Sequence, residues 1–293
     1  MMIIDIMVPF WERNDWLAEL IDSVLAQTDG RWRLVIVDDC HPDSDAERIV
    51  ARANDRRIEY VRNPRNLGLR ANFQRCVELA TSDYLVIPGN DDRFLPNYVA
   101  TMQQAIAELH PDIVQPGVQV IDADGRRING PTERIKALIR PRHLKARQKN
   151  SGQQLAVSLM RGNWLYWPSL LLRREAIASH PFRDFMIMLD LALVVDVLVD
   201  GGNLVVLEEE VFEYRRSIKS VSGRSALDGA RFADEAAYYA LAREIFDARG
   251  WNKAARAARW HLTSRAHAFL LIPHALRSRK KHVLSKIVGH VVR

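Results

Sequence analysis

Two pairs of adjacent aspartates are the residues of this chain best suited to chemistry. The pairs are Asp38-Asp39 and Asp91-Asp92, and each follows a short apolar run. Such runs are typical of buried parallel strands, and ligands of open α/β sheets bind outside the carboxyl ends of these strands. Clustered carboxylates repel one another unless a cation or a polar ligand lies between them. The two pairs therefore predict a site for a metal ion and an oxygen-rich ligand.

The pattern of apolar residues predicts the elements that must position these aspartates. In the first half of the chain, apolar runs alternate with segments of helical periodicity, which indicates βαβ units and a mostly parallel sheet flanked by helices. Strands are predicted at residues 3–8, 34–37, 58–61, 84–87 and 113–115. Further on, a helix is predicted at 189–199, strands at 204–207 and 211–214, and helices after residue 223. The basic segment from Arg126 to Lys149 is weakly periodic, and we expect a mobile loop there, a candidate lid.

Charge is unevenly distributed along the chain, whose formal net charge is +6. The segment from Trp251 to Arg293 holds ten Lys and Arg and no Asp or Glu, so the net positive charge comes entirely from it. One face of its last predicted helix is apolar and carries Val283, Leu284, Ile287, Val288 and Val291. A basic amphipathic helix of this kind can bind an anionic membrane surface. The alternative is a helix that packs on the rest of the protein and keeps its basic face in water.

Composition places the chain among globular proteins, with 48% hydrophobic and 27% charged residues. Cys40 and Cys76 are its two cysteines and imply no disulfide framework, which favours a reducing compartment. We find no signal-peptide pattern, and the most apolar stretch, 186–199, is too short to span a bilayer. We therefore expect a cytoplasmic protein that associates peripherally with the inner face of the membrane.

Each acidic pair also has a purely structural interpretation. Asp91 and Asp92 lie in a turn that can cap the helix beginning near Pro96, and the other pair can form a turn at a strand end. Neither a GxGxxG motif nor a P-loop occurs in the sequence. This argues against dinucleotide oxidoreductases and P-loop enzymes, and it weighs against sugar nucleotidyltransferases, which usually carry a glycine-rich loop after the first strand.

The order of motifs resembles the inverting glycosyltransferases of family 2, which have the GT-A fold. The matching segments are 8–10 with the helix after it, 37–39, 66–68 with Asn72, 84–92, Pro96, 167–169, 173–176, 189–193, and 214–215 with Ser220 and Ser222. The resemblance covers residues 2–222. It implies a GT-A domain over residues 1–222, with a nucleotide-binding half at 1–121 and an acceptor and catalytic half at 122–222. A helical basic extension would follow at 223–293.

The resemblance also implies roles for individual residues. Asp39 would bind the nucleotide base, Asp91 the ribose, and Asp92 a divalent metal, Mg²⁺ or Mn²⁺, that bridges the diphosphate. Asp190 would be the catalytic general base that removes a proton from the acceptor hydroxyl. The residues implied at the nucleotide-sugar are Pro9, Phe10, Trp11, Glu12, Asp39, Asn66, Gly68, Asn72 and Asp91.

Three positions depart from the family pattern. Gly89 replaces the first aspartate of the usual Asp-x-Asp-Asp motif, Leu189 replaces an often acidic residue, and Ser217 replaces the histidine of a Tyr-Arg-x-His segment. The last change removes a second metal or phosphate ligand, although Tyr214 and Arg215 can still help to close the site. Without the resemblance, an aspartate in an apolar helix such as 186–199 is more simply a buried structural partner of an arginine.

These observations lead to one favoured function and one alternative. We predict a metal-dependent inverting glycosyltransferase of hexosyltransferase type, which moves a sugar from a UDP- or dTDP-linked donor to a hydroxyl of a glycan or lipid-linked acceptor. Its setting would be bacterial cell-wall, cell-surface polysaccharide or glycolipid synthesis. The alternative is a non-catalytic, basic-tailed protein that binds membrane or nucleic acid through a degenerate transferase domain. No known nucleic-acid-binding motif is present, so we expect no nucleic acid partner.

Overall fold

The computed structural model describes residues 2–141, 144, 146–216, 230–277 and 281–292, and these form one nine-stranded sheet flanked by helices. The strands are β1 Ile4–Phe10, β2 Trp32–Asp38, β3 Ile58–Arg62, β4 Tyr84–Val86, β5 Arg93–Phe94, β6 Ile113–Ile121, β7 Lys149–Ser151, β8 Leu171–Arg173 and β9 Asn203–Arg215. The helices are α1 Asn14–Leu25, α2 Ala46–Ala53, α3 Leu69–Leu79, α4 Tyr98–Leu109, α5 Pro131–Ile139, α6 Gly152–Arg161, α7 Arg174–Ala178, α8 Leu189–Val199, α9 Ala230–Ala248, α10 Asn252–Trp260, α11 Leu262–Arg277 and α12 Lys281–Val292. A short 3₁₀ helix covers Trp167–Ser169.

The strand order is β3-β2-β1-β4-β8-β6-β9-β5, and β7 pairs with β9. Strands β3, β2, β1 and β4 run parallel, as the alternation of strands and helices predicts. Strand β8 runs antiparallel between β4 and β6, and β9 returns parallel to β6. The sheet is therefore mixed, and its parallel half brings the carboxyl ends of β1, β2 and β4 to one edge.

Strands β1 and β2 are buried on both faces, and their alternating side chains fill two separate cores. Met7, Val35 and Val37 pack on the face covered by α3, α6 and α8. Ile6 and Ile36 pack on the opposite face, which α1 and α4 cover. Successive side chains of a strand point to opposite faces, so a strand covered on both sides needs a nearly continuous apolar run. This double burial holds the polar residues at the ends of these strands in place.

Strand β9 is a single strand, where the sequence predicts two. Its central residues stay in the strand because it pairs with β6 through a β-bulge at Gly117. A Cβ at Gly117 would lie 2.6 Å from the main-chain oxygen of Glu208. Only glycine permits this close approach of the two backbones, and the bulge lets β6 continue to Ile121.

The segment from Arg126 to Lys149 differs from the mobile loop expected for it. Its described residues include helix α5, which has a proline in its first turn, and the first residue of β7. Ile135 and Leu138 of α5 are exposed, 49% and 77% respectively. Because these apolar side chains do not share a buried face, the helix leaves only a weak periodicity in the sequence.

The predicted helical C-terminal region is confirmed by α9 to α12. Helix α9 packs on the main core through Tyr238 and Phe246, and Phe232, Ala268 and Ile287 form a small core with α11 and α12. Part of the apolar face predicted for α12 is therefore covered by protein. The expected boundary at residue 222, and the family positions Ser217, Ser220 and Ser222, lie outside the described residues. No described helix is both long enough and apolar enough to cross a bilayer.

Candidate active site

Three loops meet where β2, β1 and β4 end. Residue Phe10 at the end of β1 pairs with Asp38 at the end of β2, and β4 lies on the other side of β1. The side-chain amide of Asn90 donates a hydrogen bond to the main-chain oxygen of Glu12, which ties the loop after β4 to the loop after β1. The predicted gathering of both acidic pairs at one edge of the sheet is therefore what the topology provides.

Asp38 is a structural residue. Its carboxylate is fully buried and accepts hydrogen bonds from the His41 amide at 3.0 Å, the Tyr60 hydroxyl at 2.7 Å and the Arg62 guanidinium at 3.1 Å. These bonds connect the end of β2 to β3. The structural interpretation of this aspartate, a turn at a strand end, thus describes what its side chain does.

Asp39 is almost fully buried and organises the loop before α3. Its carboxylate accepts hydrogen bonds from the main-chain amides of Leu67 and Gly68 at 2.8 and 2.9 Å, and from the Asn63 side chain at 2.9 Å. Gly68 has a φ of 82°, a conformation that favours glycine, and Asn66 caps the same turn by accepting from the Gly68 amide. A carboxylate has about four acceptor positions, so one remains for a ligand. Base binding by Asp39 stays a prediction.

Asn72 supports Asp39 indirectly, through the Asn63 side chain that donates hydrogen bonds to both residues. The Asn72 amide donates to the main-chain oxygen of Val37 at 3.1 Å, and its oxygen accepts from the Asn63 amide at 2.9 Å. Because these bonds occupy a side chain that is 3% exposed, Asn72 holds the loop and β2 together. Both polar atoms of the Asn72 side chain are thus bonded within the protein, and its contact with a nucleotide-sugar stays a prediction.

The segment Pro9–Glu12 divides into a buried part and an exposed part. The Phe10 side chain is fully buried in the core beneath α1, so the prediction that it walls a nucleoside is wrong for the side chain. The reason is that β1 continues to residue 10, and strand alternation turns this side chain inward. Trp11 is 40% exposed, with its ring 4.8 Å from that of His41, and Glu12 is exposed. Pro9 is partly buried.

Asp91 and Asp92 converge around Gly89. The buried Asp92 carboxylate accepts from the Gly89 amide at 2.9 Å and from the Arg215 amide at 3.0 Å. A Cβ placed on Gly89 would lie 2.5 Å from Oδ1 of Asp91 and 2.9 Å from Oδ2 of Asp92. A side chain at residue 89, where the family motif usually has an aspartate, would therefore clash with Asp91 and Asp92 in this structure. The absent side chain lets both carboxylates approach the same point.

Electrostatics make this pair of carboxylates a candidate for binding a cation. Burial, followed by repulsion from Asp91, raises the pKa of Asp92 well above its usual range, and burial also raises the pKa of Asp91. A divalent cation relieves this repulsion, and Mg²⁺ sites commonly combine one or two carboxylates with phosphate oxygens of a substrate. The described residues contain no set of three or more His, Cys, Asp or Glu placed to hold a metal. The donor set fits a cation shared with a phosphate-bearing ligand.

Arg215 is a buried support of the acidic loop, the segment 87–92 between β4 and β5 that carries Asp91 and Asp92. Its side chain is 1% exposed and donates to the main-chain oxygens of Asp91 at 2.7 Å and Ala123 at 2.9 Å, with an ion pair to Glu19 at 2.5 Å. The sequence suggests that Arg215 closes the site, whereas its side chain lies beneath the loop. Glu19 was not identified from the sequence, because a lone glutamate on an amphipathic helix carries no distinguishing signal.

Asp190 lies in the first turn of α8, as predicted. It is partly buried, and its carboxylate accepts from the main-chain amide of Leu191 at 2.7 Å. Burial raises the pKa of the Asp190 carboxyl, and the nearby charges of Lys136 and Arg231 oppose this rise. In this structure no arginine forms an ion pair with Asp190 among the residues described, in contrast to Asp196 on the same helix, which pairs with Arg183 at 2.7 Å. A raised pKa suits a general base.

Aromatic rings link the acidic loop to the surroundings of Asp190. Burial raises the pKa of the Tyr214 phenol, and the charges of Asp92 and Asp91 act in the same direction. The Tyr214 ring lies 5.5 Å from that of Tyr166. The Lys136 ammonium lies 3.8 Å from the centre of the Tyr166 ring. Lys136 was missed in the sequence, because one lysine in a basic, weakly periodic segment gives no signal.

Comparison with known proteins agrees with this geometry. The family model described as "Glycosyl transferase family 2" matches residues 5–173, more than half of the chain. A putative colanic acid biosynthesis glycosyl transferase, WcaA of Escherichia coli, is 33% identical over 109 residues, which cover 36% of this chain and 39% of the relative. A putative glycosyltransferase, EpsE of Bacillus subtilis, is 34% identical over 116 residues, covering 38% and 41%. The matched segment thus spans about two fifths of these relatives.

Solved structures share the fold over nearly the whole chain. Residues 1–349 of TarS from S. aureus superpose with a TM-score of 0.69 at 12% identity, covering 99% of this chain and 81% of that one. The mannosyltransferase PcManGT from Pyrobaculum calidifontis superposes with a TM-score of 0.61 at 13% identity, covering 99% and 86%. These likenesses confirm the predicted GT-A fold. With the family model matched through β1, β2, β4 and β8, the chain belongs to glycosyl transferase family 2.

Proposed function

We propose that this glycosyltransferase is metal-dependent and inverting, and that it transfers a sugar from a UDP- or dTDP-linked donor to a hydroxyl of a glycan or lipid-linked acceptor. The observation that carries the proposal is the convergence of the partly buried Asp91 and the buried Asp92 on Gly89, at the edge of the sheet where parallel strands end. Solved relatives of this fold are described in complex with UDP-GlcNAc and with GDP-Man and Mn²⁺.

The donor is expected to lie across the ends of β2, β1 and β4. Asp39 binds the base with its remaining acceptor position, and the exposed parts of residues 9–12 and the turn at Asn66 and Gly68 enclose the nucleoside. Asp91 contacts the ribose, and Asp92 holds Mg²⁺ or Mn²⁺. When bound, the metal offsets the negative charge that develops on the leaving diphosphate.

Asp190 supplies the proton transfer. The acceptor oxygen attacks the anomeric carbon as the bond from that carbon to the diphosphate oxygen breaks, and the hydroxyl proton passes to the Asp190 carboxylate. A single in-line displacement inverts the configuration at the anomeric carbon. Burial raises the pKa of Asp190, which makes its carboxylate a stronger base than an exposed aspartate, while the Leu191 amide and the charges of Lys136 and Arg231 favour its ionised form.

The C-terminal helices are proposed to contact the inner face of the membrane, where a lipid-linked acceptor would be found. Among the side chains of this region that the structure describes, the large exposed apolar ones are Trp260, Leu262, Phe269, Leu270 and Val288. Arg259 and Arg265 lie within 6 Å of the Trp260 ring. Exposed apolar surface bordered by cations is typical of proteins that lie on anionic bilayers. Cell-surface polysaccharide or glycolipid synthesis is the process that fits such an enzyme.

The stereochemistry of donor hydrolysis tests the mechanism without knowledge of the acceptor. Many transferases slowly transfer their sugar to water, and proton NMR at early times shows the anomer released. We expect one donor of a panel (UDP-glucose, UDP-N-acetylglucosamine, dTDP-glucose and GDP-mannose) to give the inverted sugar in the presence of Mn²⁺. Asp190→Asn should abolish this reaction while nucleotide binding persists. Release of the retained anomer, or full activity of Asp190→Asn, would contradict the mechanism.

A further inference from the structure

A cavity of about 280 Å³ opens beside the residues proposed for transfer, and the roles proposed above do not use it. Its walls come from the second half of β6, from α5, from the loop after β6, and from Trp164 and Tyr166. Its size approaches that of a small ligand pocket. The Tyr166 ring forms both a wall of the cavity and the contact with Tyr214, so the cavity adjoins the acidic loop.

The charges around the cavity do not cancel. Of the basic side chains in its wall, Arg127 forms an ion pair with Glu210 at 2.6 Å. Glu133, the other carboxylate in the wall, forms an ion pair with Arg216. Lys136 remains with a main-chain carbonyl as its hydrogen-bond acceptor, and Arg140 also lines the cavity.

Lys136 is held in place although no carboxylate of the described residues forms an ion pair with it. Its ammonium donates to the main-chain oxygen of Leu165 at 2.6 Å and lies over the face of Tyr166 at 3.8 Å. A hydrogen bond to a carbonyl and a cation–π contact fix the direction of the ammonium but leave its charge unneutralised. An anionic group in the cavity would neutralise that charge.

We propose that this cavity is the acceptor subsite and that it takes a saccharide bearing an anionic group, a carboxylate or a phosphate, recognised by Lys136 and Arg140. The inference rests on the proposed function for the identification of the ligand as the acceptor. Trp164 and Tyr166 contribute aromatic rings to the wall of the cavity. Gln115 also lines the cavity and fixes this wall, because its side-chain oxygen accepts a hydrogen bond from the Tyr166 amide at 2.7 Å.

The position of the cavity relative to Asp190 supports an acceptor rather than a remote effector. Lys136 and Asp190 each lie within the electrostatic influence of the other. Lys136 is thus a residue of the cavity wall that lies near the proposed base, and a sugar held by it would lie on that side of the cavity. In the same way, the contact between Tyr166 and Tyr214 leads from the cavity toward the proposed metal and donor diphosphate.

The protonation of Lys136 gives the inference a second consequence. Burial lowers the pKa of Lys136 to about 8, with Arg216 and Arg231 acting in the same direction and Asp190 and Glu133 opposing them. The charged ammonium binds the anion, so affinity is highest below pH 8 and falls as the pH rises through this value. A neutral sugar should show no such loss.

The test compares two probes that differ only at C6, methyl β-glucuronide with its carboxylate and methyl β-glucoside with its neutral hydroxymethyl group, and methyl glucoside 6-phosphate is a third ligand. Binding to the full chain is measured by ligand-observed NMR in the presence of UDP and Mn²⁺. We expect the glucuronide or the phosphate to bind at least about tenfold more tightly than the glucoside. Which of the two anions binds more tightly identifies the anionic group.

Variants assign the binding to the cavity. Lys136→Met should remove the preference for the anionic probe, Lys136→Arg should retain most of it, and Lys149→Met, an exposed lysine outside the cavity, should have no effect. UDP affinity serves as the control for folding. In the wild type, raising the pH from 7 to 9 should weaken binding of the charged probe about tenfold.

Two kinds of failure can be distinguished. Equal binding of charged and neutral probes, or an anion preference that survives in Lys136→Met, overturns the acceptor inference while UDP binding remains intact. Binding of the charged probe to the wild type that does not weaken between pH 7 and 9 also overturns it. Absence of nucleotide binding in the folded wild type instead overturns the proposed function.

Discussion

Replacement of Gly89 by alanine should separate stability from metal-dependent nucleotide binding. The added Cβ would lie 2.5 Å from Oδ1 of Asp91, about 0.9 Å short of the ordinary contact range that begins at 3.4 Å. Asp92 cannot move aside easily, because the main-chain amides of Gly89 and Arg215 hold its two oxygens. The side chain of Asp91 must therefore rotate away, and the two carboxylates no longer converge.

The energetic cost of this substitution should be small for folding and large for binding. A rotated Asp91 side chain costs about 0.5–1.5 kcal/mol, and replacing glycine with alanine recovers about 0.4–1 kcal/mol from the unfolded chain. The same Cβ would lie 2.9 Å from Oδ2 of Asp92, which must also shift slightly. The free energy of unfolding should thus fall by about 1–2 kcal/mol. Disturbing a metal site typically lowers metal affinity about 10- to 100-fold, and we expect the affinity for UDP with Mn²⁺ to fall by a similar factor.

Urea denaturation and isothermal titration calorimetry measure the two effects in the same protein preparations. Gly289→Ala is the matched control, because a methyl group added there meets no atom within 4 Å. Unchanged UDP affinity of Gly89→Ala in the presence of Mn²⁺ would refute the convergence of Asp91 and Asp92 as the basis of the site. A loss of several kcal/mol in stability would refute the assumption that Asp91 is free to rotate.

Four further predictions follow from individual side chains. Asp39→Ala should lower the free energy of unfolding by about 2–4 kcal/mol, since it leaves buried donors unpaired; a urea midpoint equal to that of the wild type would argue against this. Arg215→Met should lower the free energy of unfolding by about 1–3 kcal/mol, because it leaves two main-chain carbonyls without their donor while the 43% exposed Glu19 stays solvated; denaturation provides the measurement. Donor hydrolysis should decline as the pH falls through the raised pKa of Asp190, and an acid limb at an ordinary aspartate pKa would be inconsistent with burial. The double variant Phe269→Glu and Leu270→Glu should sediment with anionic vesicles at least about tenfold less than the wild type, with donor hydrolysis unchanged. Undiminished sedimentation would argue against membrane binding through α11.

The sequence predicted the parallel half of the fold well because burial on both faces demands a distinctive composition. Strands β1, β2 and β4 consist of nearly continuous apolar residues that end at turns or at acidic residues. The position of Asp190 in the first turn of α8 was also foreseen, since that helix is apolar all round. In both cases, local composition and the order of the segments carried the information.

Other features depend on contacts between distant residues and leave little trace in a single sequence. Helix α5 exposes Ile135 and Leu138, so its periodicity is weak, and the lysine it places beside Tyr166 is one of many basic residues. Strand β9 continues through its acidic centre only because Gly117 on β6 permits a bulge. The inward direction of Phe10 follows from the length of β1, which the apolar run underestimates.

Asp38 and Asp39 show the same limit at the level of single side chains. Both end the same strand and have the same side chain, yet Asp38 bonds to β3 while Asp39 bonds to the loop before α3. Strand alternation turns neighbouring side chains in opposite directions, so one aspartate becomes structural and the other faces the loop proposed to bind the nucleotide. Composition alone does not distinguish them.

Calorimetric titration of the purified protein with UDP, dTDP and GDP, each with Mn²⁺ and with EDTA, tests the central claim most directly. The same titrations on Asp92→Ala show whether the acidic loop is responsible. We predict that one nucleotide binds to the wild type with Mn²⁺ and that its affinity falls at least about tenfold with EDTA or with Asp92→Ala. Binding that is indifferent to both the metal and Asp92, or the absence of binding in a folded wild type, would contradict the account.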